Sequence, residues 1–405
     1  MLLRKIFFIS RNSIEHSERA RVYPCARAKP KNKKSEKIMP EKLAESRKKL
    51  VDMGKDLVKQ IDKEENPAMD VPVRALSNVN YSEKTKMLSL GTKSSKRFFF
   101  NVAHVRKFVQ TAEIAALAKE LLTVDKTLSL RQAFYAIRRT IPGTNIDTVS
   151  EQEESNKAIE DLELITGLAR EQLHINANKN GSIAGNAIVK TKGLGGREIL
   201  IDLSKMGSGG WSIPSNVEDL EFKKIDAKFI LYMEKAAMWE RLNEDGVWDK
   251  LNCIIISSQG QATRGIRRLL QRLSIEEKMP IYILTDFDPW GFYIYSVIKT
   301  GSISLAHASE RLAMPSARFL GLTADDIEKF QLKKHLIKFK DVDLKRIDEI
   351  SKYPWFKDKK EWQQQFQLMK QMKGKVELDA LVSRGISFVS EKYLPEKFKT
   401  KDFLD

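Results

Sequence analysis

A mixed α/β fold in two parts is what this sequence predicts, and three observations predict it. From Ala227 onward, apolar runs (KFILYME, NCIIISS, PIYILTD) alternate with helical segments (KAAMWERLNEDG, TRGIRRLLQRLSIEEK, PWGFYIYSVIKTG). Strands that are apolar throughout, rather than on alternate positions, belong to a parallel sheet covered on both faces. Upstream, the helical segments HVRKFVQTAEIAALAKELLTVD and LRQAFYAIRRT are joined by a short polar turn and flanked by strand-like pieces. Finally, 405 residues with 42% hydrophobic content exceed one ordinary domain and can bury a large core.

The elements follow in order. Residues 1–38 are basic, with a Pro-Lys-Asn-Lys-Lys stretch, and read as a disordered arm. An organelle presequence is the alternative, although no small-residue cleavage site follows MLLRKIFFIS. Residues 39–68 carry Leu43, Leu50, Val51, Met53, Leu57, Val58 and Ile61 at near-helical spacing, an amphipathic helix whose apolar stripe is expected to pack on a partner helix or subunit. Across 69–150, VPVRALSNVNYSE, KTKMLSLG and KRFFFNV read as short strands, and with the two helices, the second starting at Thr127-Leu-Ser, they suggest a winged-helix type of unit. Many helical hairpins share that pattern. The remainder, 151–405, begins with the helix SNKAIEDLELITGLA and a Gly-rich, strand-like stretch. GLGG and GSGG there lack the Lys-Ser/Thr and the following helix of a phosphate loop, so they read as hairpin turns. Beyond Gly301 the chain reads as mostly helical and charged.

A formal net charge of +17 favours a polyanionic partner. A spanning membrane segment is not expected, because no run of eighteen or more apolar residues occurs. Two cysteines and five histidines without ligand spacing exclude a disulfide framework and argue against a zinc enzyme, so a reducing, cytoplasmic setting is expected.

The acids at strand ends carry the chemistry. Glu234 closes KFILYME, and Asp286 and Asp288 follow the run Ile281–Leu284. Ligands of open α/β sheets collect at the carboxyl ends of parallel strands, where three carboxylates can hold a hard cation such as Mg²⁺. Simpler roles exist: Asp288 before Pro289 suits a helix N-cap, and Glu234 could pair with Lys235 or Arg241.

Glu234 in LYMEKAAMWERL, the segment SSQGQATRGIRRLLQRL, and DFDPWGFYIYSVIKTGSISLAHASERLA together resemble the Toprim domain of the A subunit of type IIB topoisomerases, a family related to the meiotic recombination nuclease. The likeness covers about Val71 to Pro395. It implies a winged-helix domain followed by a Rossmann-like Toprim domain, and an active-site tyrosine in an Arg-x-x-Tyr-Tyr pattern. LRQAFYAIRR supplies Arg131 and Tyr135, with Phe134 where the family usually shows its first tyrosine. The family's Gly-x-Pro after the middle strand reads Gly260-Gln261-Ala262, which alters the stiffness of a turn rather than the chemistry.

The resemblance implies transesterification by Tyr135, with Arg131 beside it on the helix face, Glu234 as general acid/base, and Mg²⁺ held by Glu234, Asp286 and Asp288. Arg138, Arg139, Arg264, Arg267, Arg268 and Arg272 are candidate contacts to a DNA backbone, with solvated helix faces as the alternative for each. Implied partners are duplex DNA, a second copy of this chain, and an ATPase B subunit in an A2B2 assembly that binds ATP, with the 39–68 helix as a docking element. Two other readings stay open: a dedicated break-forming recombination enzyme, and a non-catalytic DNA-binding scaffold.

Overall fold

The computed structural model describes residues 41–177, 181–193, 196–258 and 260–405, and the expected basic arm, 1–38, lies outside them. Contacts divide the chain into two units: one runs to Val73 and resumes over Lys93–Asn176, the other comprises Arg74–Thr92 and Ala177–Asp405. These limits differ from the expected ones. The hairpin at 79–90 belongs with the second unit, and 151–176 with the first.

In the first unit, helix α1 (Glu41–Asp62) buries Leu50 and Leu57, to 5% and 4% exposure. Of the two covers expected for its stripe, a neighbouring helix or another subunit, the structure shows the helix. Leu50 joins Ile114, Ala118 and Leu122 of α2 (Val102–Val124), and Leu57 packs with Met69, Val71 and Phe108. Strand β1 (Ala68–Pro72) pairs antiparallel with β4 (Ser94–Phe98); between them in sequence comes the second unit's hairpin, β2 (Val79–Ser82) and β3 (Met87–Leu90). Asn101 caps α2 by accepting from the Ala103 amide at 2.9 Å.

Helix α3 (Leu130–Ile137) starts at a capping box in which Ser129 and Gln132 satisfy each other's amides. It stops three residues sooner than the pattern LRQAFYAIRRT suggests. The returning loop supplies the reason: the Thr148 hydroxyl donates to the Ile137 carbonyl at 2.5 Å and accepts from the Arg139 amide at 3.1 Å, which leaves Arg138 and Arg139 beyond the helix. Helix α4 (Gln152–Thr166) ends at Gly167 with φ 66, a left-handed stop suited to glycine.

The second unit orders Ser182–Gly185 (β5), Ala187–Lys192 (β6), Glu198–Asp202 (β7), Trp211–Ser212 (β8), Glu221–Ile225 (β9), Phe229–Met233 (β10), Cys253–Ser257 (β11), Ile281–Leu284 (β12) and Arg318–Gly321 (β13). β9-β6-β7 form a small antiparallel sheet, and the six-stranded main sheet has the order β8-β5-β11-β10-β12-β13. From β11 to β13 all pairings are parallel, while β5 and β8 add antiparallel. The first parallel strand, β10, thus lies between the second and third, so the chain winds to both sides of it and opens a crevice at its carboxyl end.

Ile230 to Met233 and Cys253 to Ile256 are all 0% exposed, as unbroken apolar runs require of a sheet covered on both faces. Gly185 has φ +145, and a Cβ there would stand 2.9 Å from the Cys253 carbonyl, so only glycine lets β5 approach β11 so closely. Helices α5 (Ala236–Glu244), α6 (Arg264–Ile275) and α7 (Pro289–Thr300) follow β10, β11 and β12. The C-terminal part is not only helical: β13 completes the sheet, and Phe292, Tyr295, Phe319, Phe356 and Trp362 form an aromatic cluster over it. Among the described residues no helix is long and apolar enough to cross a membrane.

Glu218 ties α6 to the loop before β9. Its carboxylate accepts from Arg268 at 2.7 and 3.0 Å and from Arg311 at 2.6 Å. Burial pushes its pKa up, but the two guanidiniums outweigh that and hold it down to about 2. A depressed carboxylate stabilises the fold above its unfolded pKa, and that stability fades as pH falls toward the folded value. Urea denaturation of Glu218→Gln is expected to show a loss of about 1–2 kcal/mol at pH 7, shrinking as pH drops from about 4.5 toward 2.

Candidate functional site

Strand register builds the site. Met233 of β10 pairs with Leu284 of β12, so the next residues, Glu234 and Thr285, emerge side by side at the crevice, with Asp286 one step beyond. A cavity of about 410 Å³ opens there, lined by Glu234, Lys235, Gly260, Thr285, Asp286 and Glu377, among others. Two of the three expected acids therefore share one wall.

The third, Asp288, does what the simpler reading proposed: it is the N-cap of α7, its Oδ1 accepting from the Gly291 amide, with Pro289 at the first helical position. The two roles are compatible, since one carboxylate oxygen remains for other work. Gly291 is also required by crowding. A Cβ there would stand 2.5 Å from the Asp286 carbonyl and 2.8 Å from Thr285 Oγ1.

Electrostatics mark this corner out. Burial raises the Glu234 carboxyl to about 7, with Asp288 and Asp286 adding repulsion and Lys235 opposing it. Burial likewise raises Asp288 to about 6, against the Gly291 hydrogen bond. Asp286 is raised too, again chiefly by burial, although the Leu378 amide donates to its Oδ1 at 2.7 Å. Half-buried like charges at the tips of adjacent strands are under-neutralised, the condition a hard cation relieves. Among the described residues no three such side chains already close around a point. The donor set fits a Mg²⁺-like ion that takes one or two carboxylates and keeps several waters.

Sequence reasoning missed the other half of the wall. Phe287 and Val376 exchange backbone hydrogen bonds at 2.9 and 3.0 Å, and Leu378 holds Asp286, so residues 376–378 clasp the acidic loop. They bring Glu377 into the cavity and Asp379 near it, and Lys235 pairs with both, at 2.9 Å to Glu377. Arg241, the other expected partner of Glu234, binds Asp245 at 2.7 Å instead. Only the alternation of charges in KVELD hinted at this segment.

In the first unit α3 presents Tyr135 at 57% exposure, whereas Phe134 is buried to 7% in the core. Phenylalanine at that position is thus a packing residue, and the exposed ring beside it carries the hydroxyl. Arg131 is exposed one turn earlier on the same face as Tyr135.

The candidate DNA contacts divide. Arg138 and Arg139 are exposed, paired with Asp147 at 3.1 Å and with Glu113. Arg264 and Arg267 correct the expectation of a surface row, being buried to 7% and 4% exposure on the inward face of α6. Arg268 is engaged by Glu218, and Arg272 by Glu276 and the Val217 and Leu220 carbonyls.

Residues 229–398 match the profile of the Toprim domain shared by the topoisomerase 6 A subunit and Spo11. Residues 106–175 match the profile "Type IIB DNA topoisomerase", and residues 178–226 match "All-beta domain in DNA topoisomerase VI alpha subunit". The chain is 43% identical over 383 residues to the A subunit of type 2 DNA topoisomerase 6 from Pyrococcus abyssi, covering 92% of this chain and 97% of the relative. The protein of the same name from Pyrococcus horikoshii is equally similar, at 43% over the same coverage. That of Methanocaldococcus jannaschii is 33% identical over 357 residues, or 87% and 94% of the two chains. The chain belongs to the Spo11/topoisomerase VI A-subunit family. It is a DNA-cleaving subunit of a type IIB topoisomerase, an ATP-dependent isomerase, and its second unit holds a Toprim domain, a kind that typically binds divalent metal. The small antiparallel sheet β9-β6-β7 falls within the family's all-β domain, not within Toprim as 151–405 was expected to be.

The clasp on Asp286 has a measurable consequence. Asp286→Asn keeps an acceptor for Leu378 and removes a repelled charge, so without divalent ions its stability to urea is expected to equal or exceed that of the unmodified chain. Asp286→Ala orphans the amide and is expected to be less stable than the Asn variant by about 1–3 kcal/mol.

Proposed function

We propose that this subunit cuts duplex DNA by transesterification through Tyr135, and that the observation carrying the reading is the convergence of Glu234 and Asp286 from adjacent strand tips on one cavity. The Tyr135 phenol oxygen bonds to the phosphorus of a backbone phosphate, and the bond from phosphorus to the 3′-oxygen breaks. This leaves a 5′-phosphotyrosyl ester and a 3′-hydroxyl. Glu234, poised near neutrality by burial and its acidic neighbours, takes or returns the proton at the reacting oxygens. Arg131 steadies the phenolate or the phosphate.

Glu234 and Asp286, with the free oxygen of Asp288, would hold Mg²⁺, which when bound supplies charge stabilisation to the phosphate oxygens. The ester conserves the free energy of the broken bond, so resealing needs no further cofactor. A duplex break requires two tyrosines, and the working form is a homodimer of this chain with ATPase B subunits that bind ATP, in an A2B2 assembly at the nucleoid. The first unit is read as a winged-helix domain that lays α3, Arg138 and Arg139 along the DNA backbone without reading bases. Transient double-strand breaks in this setting relax and decatenate DNA.

With a B partner, ATP and Mg²⁺, the assembly is expected to relax supercoiled DNA and to yield a covalent protein–DNA adduct on denaturant quenching. Tyr135→Phe is expected to lose the adduct and to relax DNA about a thousandfold or more slowly. An adduct that survives in this variant would exclude Tyr135 as the nucleophile.

Metal binding also tests the carboxylates. Cations bind the deprotonated form, so with Glu234 at about 7 and Asp288 at about 6, calorimetric Mg²⁺ affinity is expected to weaken as pH falls below 7. The fall is expected to be up to about tenfold per unit, with proton release on binding, and much of it should vanish in Glu234→Gln.

A further inference from the structure

Resting on the cation site proposed above, we propose that Glu377 is a further residue of that site, delivered by the C-terminal segment, with Lys235 as its counter-charge while no cation is bound. Three observations carry this.

Position comes first. Glu377 lines the same cavity as Glu234 and Asp286, whereas Asp379 does not. Fixity follows from the backbone: Glu377 lies between Val376, which pairs with Phe287, and Leu378, whose amide is bound by Asp286 itself. A half-exposed glutamate on a free loop would be a solvated charge. This one is anchored on both sides to the acidic loop and cannot drift away from it.

The third observation is a polar group without an occupant. Thr285 is 0% exposed, it is in the cavity wall, and its hydroxyl has no hydrogen-bond partner among the described residues. A buried hydroxyl left unpaired costs stability, and a hydrated ion offers it a partner. Lys235 Nζ, 2.9 Å from Glu377 and also paired with Asp379, already brings a positive charge to this wall. Its ammonium balances the Glu377 charge while no cation is bound. Metal sites commonly depend on carboxylates that bind through the ion's waters as much as on direct ligands.

The test uses the full chain with Mn²⁺ as probe, free ion being followed by electron paramagnetic resonance. Glu377→Gln is expected to weaken Mn²⁺ binding about tenfold or more, and Asp379→Asn, which also removes a partner of Lys235, by less than about twofold. Glu377→Gln binding within twofold of the unmodified chain would overturn the proposal, as would equal losses in the two variants, which would assign the effect to the Lys235 pairs. An Asp286→Asn control separates the parent reading: if it too binds normally, the cation site itself is wrong, and if it alone loses binding, only Glu377 is excluded. Should Glu377→Gln fail to fold, Fe²⁺ and ascorbate cleavage of the unmodified chain decides. Cuts are expected beside Glu377 as well as beside Glu234 and Asp286, and their absence near Glu377 would refute its role.

Discussion

Parallel pairing of β10 with β12 is the constraint on which the rest depends. The two strands are separated in sequence by β11 and three helices, yet their hydrogen-bond ladder fixes Met233 opposite Leu284. Neighbouring strands lie about 4.8 Å apart, so a ladder in register delivers Glu234 and the Asp286 loop to one spot without relying on flexible loops. A slip of one residue would turn Glu234 to the opposite face of the sheet. The fully buried runs on both strands, Ile230 to Met233 and Ile281 to Leu284 with only Tyr282 partly exposed, resist that slip.

Carboxylates placed this way repel one another, and the fold contains the repulsion locally. The Gly291 and Leu378 amides each bond one oxygen of the aspartates, which stabilises charge without adding a mobile counter-ion. Lys235 balances the outer acids. What remains unbalanced is Glu234, whose carboxyl is raised to about 7 with no hydrogen-bond donor among the causes that shift it. The residue expected to move protons is thus the one the surroundings leave least committed.

How much of this was legible in the sequence depends on the range over which each fact is encoded. The parallel strands and the Glu234, Asp286 and Asp288 set could be read because continuous apolar runs ending in acids are local patterns. The Asp288 cap was legible for the same reason, in Asp-Pro. Glu377 was not, because its placement depends on a backbone pairing with Phe287 that no periodicity announces. The burial of Arg264 and Arg267 was hidden by composition: a helix rich in arginine reads as a surface, although its amphipathic face here runs inward. The α1 stripe was legible as a covered surface, but not which of the two expected covers, a neighbouring helix or another subunit, it meets, since a stripe shows that something covers it but not what. β13 escaped because RFLG is too short to distinguish from a turn of helix.

The departure at Phe134 follows from the same logic of inward and outward faces. On α3 the capping box fixes the start of the helix, and with it which side chains face the core. Ala133, Phe134 and Ile137 point in, and Arg131 and Tyr135 point out. A second hydroxyl at position 134 would need a partner inside an apolar cluster, and phenylalanine removes that need while stacking edge-on against the Tyr135 ring at 5.0 Å. The substitution therefore leaves the outward phenol in place and gives it a rigid neighbour, as a proposed nucleophile carried on an eight-residue helix requires.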